Sequence, residues 1–169
     1  MYIRNATIDE LDRIMDIYAY ARAVMAENGN PKQWGATNWP PRDLIAQDIM
    51  QEKSYICCVD DDVAERIVGV FYYDFGEDID ATYRKIEQGA WLNDAAYGVV
   101  HRIASDGSTK GTGTFCIQWA LEQSGHLRID THGDNKIMQN LMRKLDFTPC
   151  GIIYVEEDND PRIAYEKIV

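Results

Sequence analysis

The chain has 169 residues, 46% of them apolar and 27% charged, the proportions of a folded domain with a sizeable core rather than of a disordered chain. Its formal charge of -11 argues against non-specific binding to nucleic acid or to an anionic membrane. No apolar signal region opens the sequence and no run approaches the roughly 20 apolar residues of a membrane span, so the expectation is one cytoplasmic domain over residues 1–169.

Residues 1–5 have strand character. Thr7 and Glu10 have capping-box spacing, and Leu11, Ile14, Met15, Tyr18, Ala21 and Met25 recur on one helical face, which predicts a helix ending near Asn28-Gly29. The stretch NGNPKQWGATNWPP (28–41) is a loop rich in Gly, Asn and Pro that carries Trp34 and Trp39. Pro41 is placed to open a second helix with Leu44, Ile45 and Ile49 as its buried stripe. The runs YICCV (55–59) and IVGVFYY (67–73) read as a hairpin about an acidic connection. DATYRKIEQGAW (80–91) reads as a short helix or an irregular arm.

A strand over YGVVHRIA (97–104) and a helix over GTFCIQWALEQSG (113–125) follow, then a strand over HLRIDT (126–131). The amphipathic helix NKIMQNLMRKLDF (135–147) turns Ile137, Met138, Leu141, Met142 and Leu145 inward. CGIIYV (150–155) and RIAYEKI (162–168) close the chain as two strands about EEDNDP. The acidic clusters at 60–62 and 156–160 read as solvated turns. Cysteines 57, 58, 116 and 150 have no CxxC or zinc-ligand spacing and read as buried, reduced thiols, with no metal expected.

Alternating βα units imply parallel strands in the middle, and terminal hairpins imply antiparallel neighbours. The fold class is therefore α/β, in the α+β sense of a mixed sheet of about six to seven strands with helices on both faces.

The stretch SDGSTKGTGT (105–114) joins strand 97–104 to helix 113–125 with three glycines, a lysine and five hydroxyl side chains. Backbone amides at a helix start hold anions, and Gly111 and Gly113 remove side chains that would keep a ligand off that backbone. Lys110 adds a local positive charge, so a phosphate or pyrophosphate ligand is indicated. No GxxxxGK[ST] is present, and the dinucleotide-binding spacing is absent as well.

With this turn the sequence resembles the GCN5-related N-acetyltransferase (GNAT) superfamily. VVHRIASDGSTKGTGT looks like that family's acetyl-CoA motif, a strand followed by Arg or Gln, two residues, Gly, one residue, and Gly or Ala at a helix start. IDTHGDNKIMQNLMRKLDF looks like its next motif, a strand, an Asn, and a helix ending in a tyrosine and glycine signature. The chain departs from the family at Ser108, which stands at the Arg or Gln position, and at Met142 and Asp146, which stand where Tyr and Gly are common. That tyrosine commonly protonates the departing thiolate, so here either another group does so, with Tyr154 and Cys150 as candidates, or the thiolate leaves unassisted.

The resemblance implies acetyl-CoA as cosubstrate and a primary amine of a small molecule or peptide as acceptor; another acyl-CoA donor would read the same motif. Backbone groups around His101, Ile103 and Ser105 would receive the pantetheine arm. The amides of Lys110, Gly111, Thr112, Gly113 and Thr114 would hold the pyrophosphate, and Asn135 matches the family asparagine near the pantetheine. Asp130 aligns with an acidic general base of some relatives, or is a carboxylate paired with an arginine or capping a turn. The alternatives are His132, which lies beyond the strand end where sites in α/β sheets open or is merely exposed there, and His101, an imidazole suited to proton transfer or a satisfied core histidine in an apolar row. Tyr97, Val99, His101 and Ile103 share one strand face in this reading. Trp34, Trp39 and Tyr18 would line the acceptor pocket, or the two tryptophans anchor the long loop that carries them. The partner expected besides the amine acceptor is a second copy of the chain in a homodimer, with no nucleic acid and no membrane. The competing class is an acyl-CoA sensor or degenerate partner subunit without turnover.

Overall fold

The computed structural model describes residues 1–61, 63–156 and 159–169. Asp62, Glu157 and Asp158, which belong to the two acidic turns expected above, lie outside the described residues. The elements are β1 (Tyr2–Asn5), α1 (Leu11–Glu27), α2 (Arg42–Met50), β2 (Ser54–Asp60), β3 (Glu65–Gly76), β4 (Tyr97–Ser105), α3 (Thr112–Ser124), β5 (His126–His132), α4 (Lys136–Lys144), β6 (Thr148–Tyr154) and β7 (Pro161–Ile168). The strands form a seven-stranded sheet in the order β1-β2-β3-β4-β5-β7-β6. It is mixed as expected: β4 and β5 run parallel, while β1–β2, β2–β3, β5–β7 and β6–β7 are antiparallel.

The chain divides into two compact units, one of residues Met1–Tyr73 and His101–Trp119, the other of Asp74–Val100 and Ala120–Val169. In the first unit Glu10 closes the capping box by accepting the Thr7 amide at 2.8 Å. Helix α1 then buries Leu11, Ile14, Ile17 and Tyr18, and α2 buries Ile45 and Ile49, against Ile56, Cys58, Val70 and Ala104 of the strands. Met15, Ala21 and Met25 are only partly buried at the edge of this core. The period of 3.6 residues carries Ile17 into the stripe and turns Met15 toward its margin.

In the second unit β5 pairs with β4 at Gly98–Leu127 and Val99–Arg128, and with β7 along its whole length. Residues 80–91 form no α-helix: a 3-10 turn at Ala81–Arg84 leads into extended chain whose Glu87 bridges Ile152. Helix α4 stops at Lys144 because Asp146 takes a left-handed φ of 56°. Met138 and Met142 form its buried stripe, and Ile137, expected inward, is 52% exposed because it falls off the side that these two residues define.

Candidate functional site

The glycine-rich turn lies in the first unit. Phe115 N donates to Gly111 O at 2.9 Å, so the amides of Thr112, Gly113 and Thr114 come before the first helical bond and have no acceptor within α3. They end a helix whose dipole favours an anion there. Gly111 has φ +84°, and a Cβ built on it meets no atom within 4 Å. Its left-handed backbone therefore faces open space, next to the exposed Lys110. The Thr112 hydroxyl donates to Thr109 O at 2.9 Å and braces the turn from inside.

Two contacts seat this helix start. A Cβ at Gly69 of β3 would lie 2.6 Å from the Thr112 methyl and 3.3 Å from Ala104 O, so glycine there admits the first turn of α3 onto the strand. Further along α3, the Trp119 ring packs against Tyr55, Phe71 and Tyr73 at centroid distances of 5.0, 5.8 and 5.6 Å. The turn itself is organised by Asp106, which accepts the Ser108 amide at 2.9 Å and hydroxyl at 2.6 Å, and Arg13 Nη2 at 2.5 Å. Burial pushes this carboxyl up, but the Ser108 and Arg13 hydrogen bonds outweigh it and hold it below its ordinary value. Arg66 Nη1 donates to Ser108 Oγ at 2.7 Å.

Strand β4 departs from simple alternation at Arg102, which has a left-handed φ of 52°. The expected row Tyr97, Val99, His101 and Ile103 is therefore broken between His101 and Ile103, because a left-handed residue turns the strand. A non-glycine residue holds this conformation only under external constraint, and the constraints are visible. Arg102 Nε and Nη2 donate to Asp48 Oδ2 at 3.1 and 2.7 Å, its guanidinium lies 4.6 Å over the Tyr72 ring, and the Tyr18 hydroxyl donates to its carbonyl at 2.9 Å. Tyr18 is buried and meets the buried Trp34 edge-on at 5.8 Å. Trp39 packs half-buried against the same core. Ile103 and Ser105 are half-buried along β4, and the half-buried His101 ring lies 5.8 Å from that of Tyr72.

Asp130, His132 and Asn135 belong to the second unit. The Tyr83 hydroxyl donates to Asp130 Oδ1 at 2.7 Å. Burial, and then the Asp130 charge, push the Tyr83 phenol well above its ordinary value, so Tyr83 keeps its proton and Asp130 accepts it as a hydrogen bond. His132 Nδ1 accepts the Asp134 amide at 3.0 Å, which places the ring proton of the neutral form on Nε2 and leaves Nδ1 occupied. Asn135 caps α4, its Oδ1 accepting the Met138 amide at 3.0 Å. Met142 is fully buried.

Four side chains packed about β5 escaped the sequence reading: Tyr83, Trp91, Arg128 and Glu166. Arg128 donates Nε to Glu166 Oε1 at 2.8 Å and Nη2 to Asn93 O at 2.7 Å, between the rings of Trp91 and Tyr97 at 4.2 and 4.0 Å. Glu166, fully buried, also accepts His126 Nε2 at 2.5 Å and the Leu92 amide. Trp91 Nε1 donates to Tyr83 O at 2.8 Å. The arm at 83–93 is thus strapped to side chains of β5 and β7. The available signal was the alternation His126, Arg128, Asp130, His132, which sets four polar side chains on one face of a strand with Leu127 and Ile129 on the other.

Among the described residues no group of three or more His, Cys, Asp or Glu is arranged to hold a metal ion, and no helix is long and apolar enough to cross a membrane. No family model matches the chain, and no curated protein matches it. Solved structures do. An acetyltransferase of the GNAT family from Streptococcus agalactiae is 30% identical with a TM-score of 0.87, over 99% of this chain and 95% of the other. A ribosomal-protein-alanine N-acetyltransferase from Brucella melitensis shares 16% identity and a TM-score of 0.60, over 100% of both chains. NAA60 of Arabidopsis thaliana, solved in complex with acetyl-CoA, shares the fold with a TM-score of 0.64 at 8% identity, over 99% of this chain and 98% of that one.

Proposed function

We infer from membership of the GCN5-related N-acetyltransferase family, to which this chain belongs, that it binds acetyl-CoA and acetylates a primary amine of a small molecule or peptide. The observation that carries this reading is the set of Thr112, Gly113 and Thr114 amides left over at the start of α3, beside the open left-handed Gly111. Those donors fit a pyrophosphate, and Lys110 adds a charge of the right sign. The β4 backbone from His101 to Ser105, its alternation broken at Arg102, is the edge that receives the pantetheine arm. When bound, acetyl-CoA supplies the activated acetyl thioester.

Asp130 is the residue that takes the proton of the acceptor ammonium, directly or through water. Its carboxylate is held by the Tyr83 hydroxyl, and its charge favours a cationic amine. His132 is the weaker candidate because Nδ1 already accepts the Asp134 amide. The test is release of free CoA thiol from acetyl-CoA over a panel of amines. Asp130→Asn lowers kcat by roughly 100-fold with acetyl-CoA affinity nearly unchanged. An Asp130→Asn protein of full activity removes Asp130 from this role. Tight acetyl-CoA binding without thiol release for any amine supports the acyl-CoA sensor instead.

A further inference from the structure

The family's arginine or glutamine at the head of the glycine turn is replaced here by Ser108, whose amide and hydroxyl are both committed to Asp106. We propose that Arg66, reaching the turn from β3, supplies the missing guanidinium and holds the cofactor's pyrophosphate; the proposal rests on the reading of the turn as a CoA cradle. Three observations carry it. First, Arg66 Nη1 lies 2.7 Å from Ser108 Oγ, so the guanidinium already stands beside the replaced side chain. The backbone brings the two within reach, because Asp106 N donates to Val68 O at 3.0 Å and ties the turn to β3 two residues from Arg66.

Second, Arg66 is loosely held by its own carboxylate. The Asp61 contact is 3.6 Å long, between side chains 44% and 52% exposed, and such pairs contribute little. An incoming phosphate displaces it at small cost. Third, Asp106, the carboxylate within the turn, is matched by Arg13 and Ser108, so it neither sequesters Arg66 nor leaves an unbalanced negative charge. A guanidinium offers two parallel N–H donors to a phosphate, which the neighbouring Lys110 ammonium cannot do.

The experiment measures dissociation constants of CoA and of 3'-dephospho-CoA by calorimetry, with thermal unfolding of the unliganded protein as the control for folding. Arg66→Ala weakens both ligands equally, by about tenfold, the order expected for one charge-assisted contact. Arg66→Lys retains part of the affinity, and Ser108→Arg added to Arg66→Ala restores most of it. Equal affinity of wild type and a folded Arg66→Ala overturns the proposal. So does a loss confined to CoA, which would assign Arg66 to the 3'-phosphate. A double variant as weak as Arg66→Ala overturns the equivalence of the two positions. A wild-type protein that binds neither ligand refutes the cofactor reading itself, and is thereby distinct from failure at Arg66 alone.

Discussion

Tyr83 and Asp130 are 47 residues apart in the chain and 2.7 Å apart in space. With only 2% of Tyr83 exposed, its hydroxyl has to find an acceptor, and the carboxylate it meets is the proposed proton acceptor. A hydrogen bond to a carboxylate favours the charged form, so removing the donor should make Asp130 easier to protonate. Tyr83→Phe is therefore expected to move the acid limb of the kcat/KM profile to higher pH and to lower stability by about 1–2 kcal/mol. A pH–rate profile separates this from a structural role. If Tyr83 only packs, stability falls while the limb stays in place.

Helix α3 is positioned by what is absent at one end and by what is large further along. Gly69 leaves room for the Thr112 methyl, and Trp119 fills the space among Tyr55, Phe71 and Tyr73. Gly69→Ala puts a methyl 2.6 Å from Thr112 Cγ2, closer than carbon atoms approach, while Trp119 resists a shift of the whole helix. The first turn must give way, at about 1–3 kcal/mol for overpacking of this kind. The leftover amides of Thr112 to Thr114 then move with it. Denaturant unfolding and CoA titration of Gly69→Ala should both register the change; lost stability with full CoA affinity would mean that this turn does not hold the cofactor.

Across the whole molecule, acid should destabilise. Glu65 is held down to about 2 by Arg4 first and Tyr2 next. Glu10, Asp106 and Glu166 also lie below their ordinary values: burial raises each, and hydrogen bonds from Thr7, Arg4, Ser108, Arg13, Leu92, Arg128 and His126 outweigh it. A depressed carboxyl contributes stability that is complete above its unfolded value and is lost as pH falls through its folded value. Asp48 runs the other way, raised by burial against the pull of Arg102, and offsets part of the effect. The Tm is therefore expected to fall as pH drops from the ordinary carboxylate values of 4.5 and 3.8 toward about 2. A Tm constant over that window in scanning calorimetry would contradict the sum of these four groups.

Local pattern in the sequence determined the element order, the mixed sheet and the turn at 105–114, because helical and strand periodicities report burial within a few residues. The same holds for the Thr7–Glu10 capping box just ahead of α1 and for Asn135 at the start of α4. Tertiary structure alone decided the rest. Residues 80–91 carry no clear period, so the strap from Tyr83 to Trp91 depends on what β5 and β7 present to it. The left-handed Arg102 is invisible in a strand pattern, since it is held by Asp48, Tyr72 and Tyr18 from other elements. Arg66 stands 42 residues before Ser108, and the Arg128–Glu166 bond spans 38. Such partners follow from strand register and chain closure, which couple distant residues only once the sheet has formed.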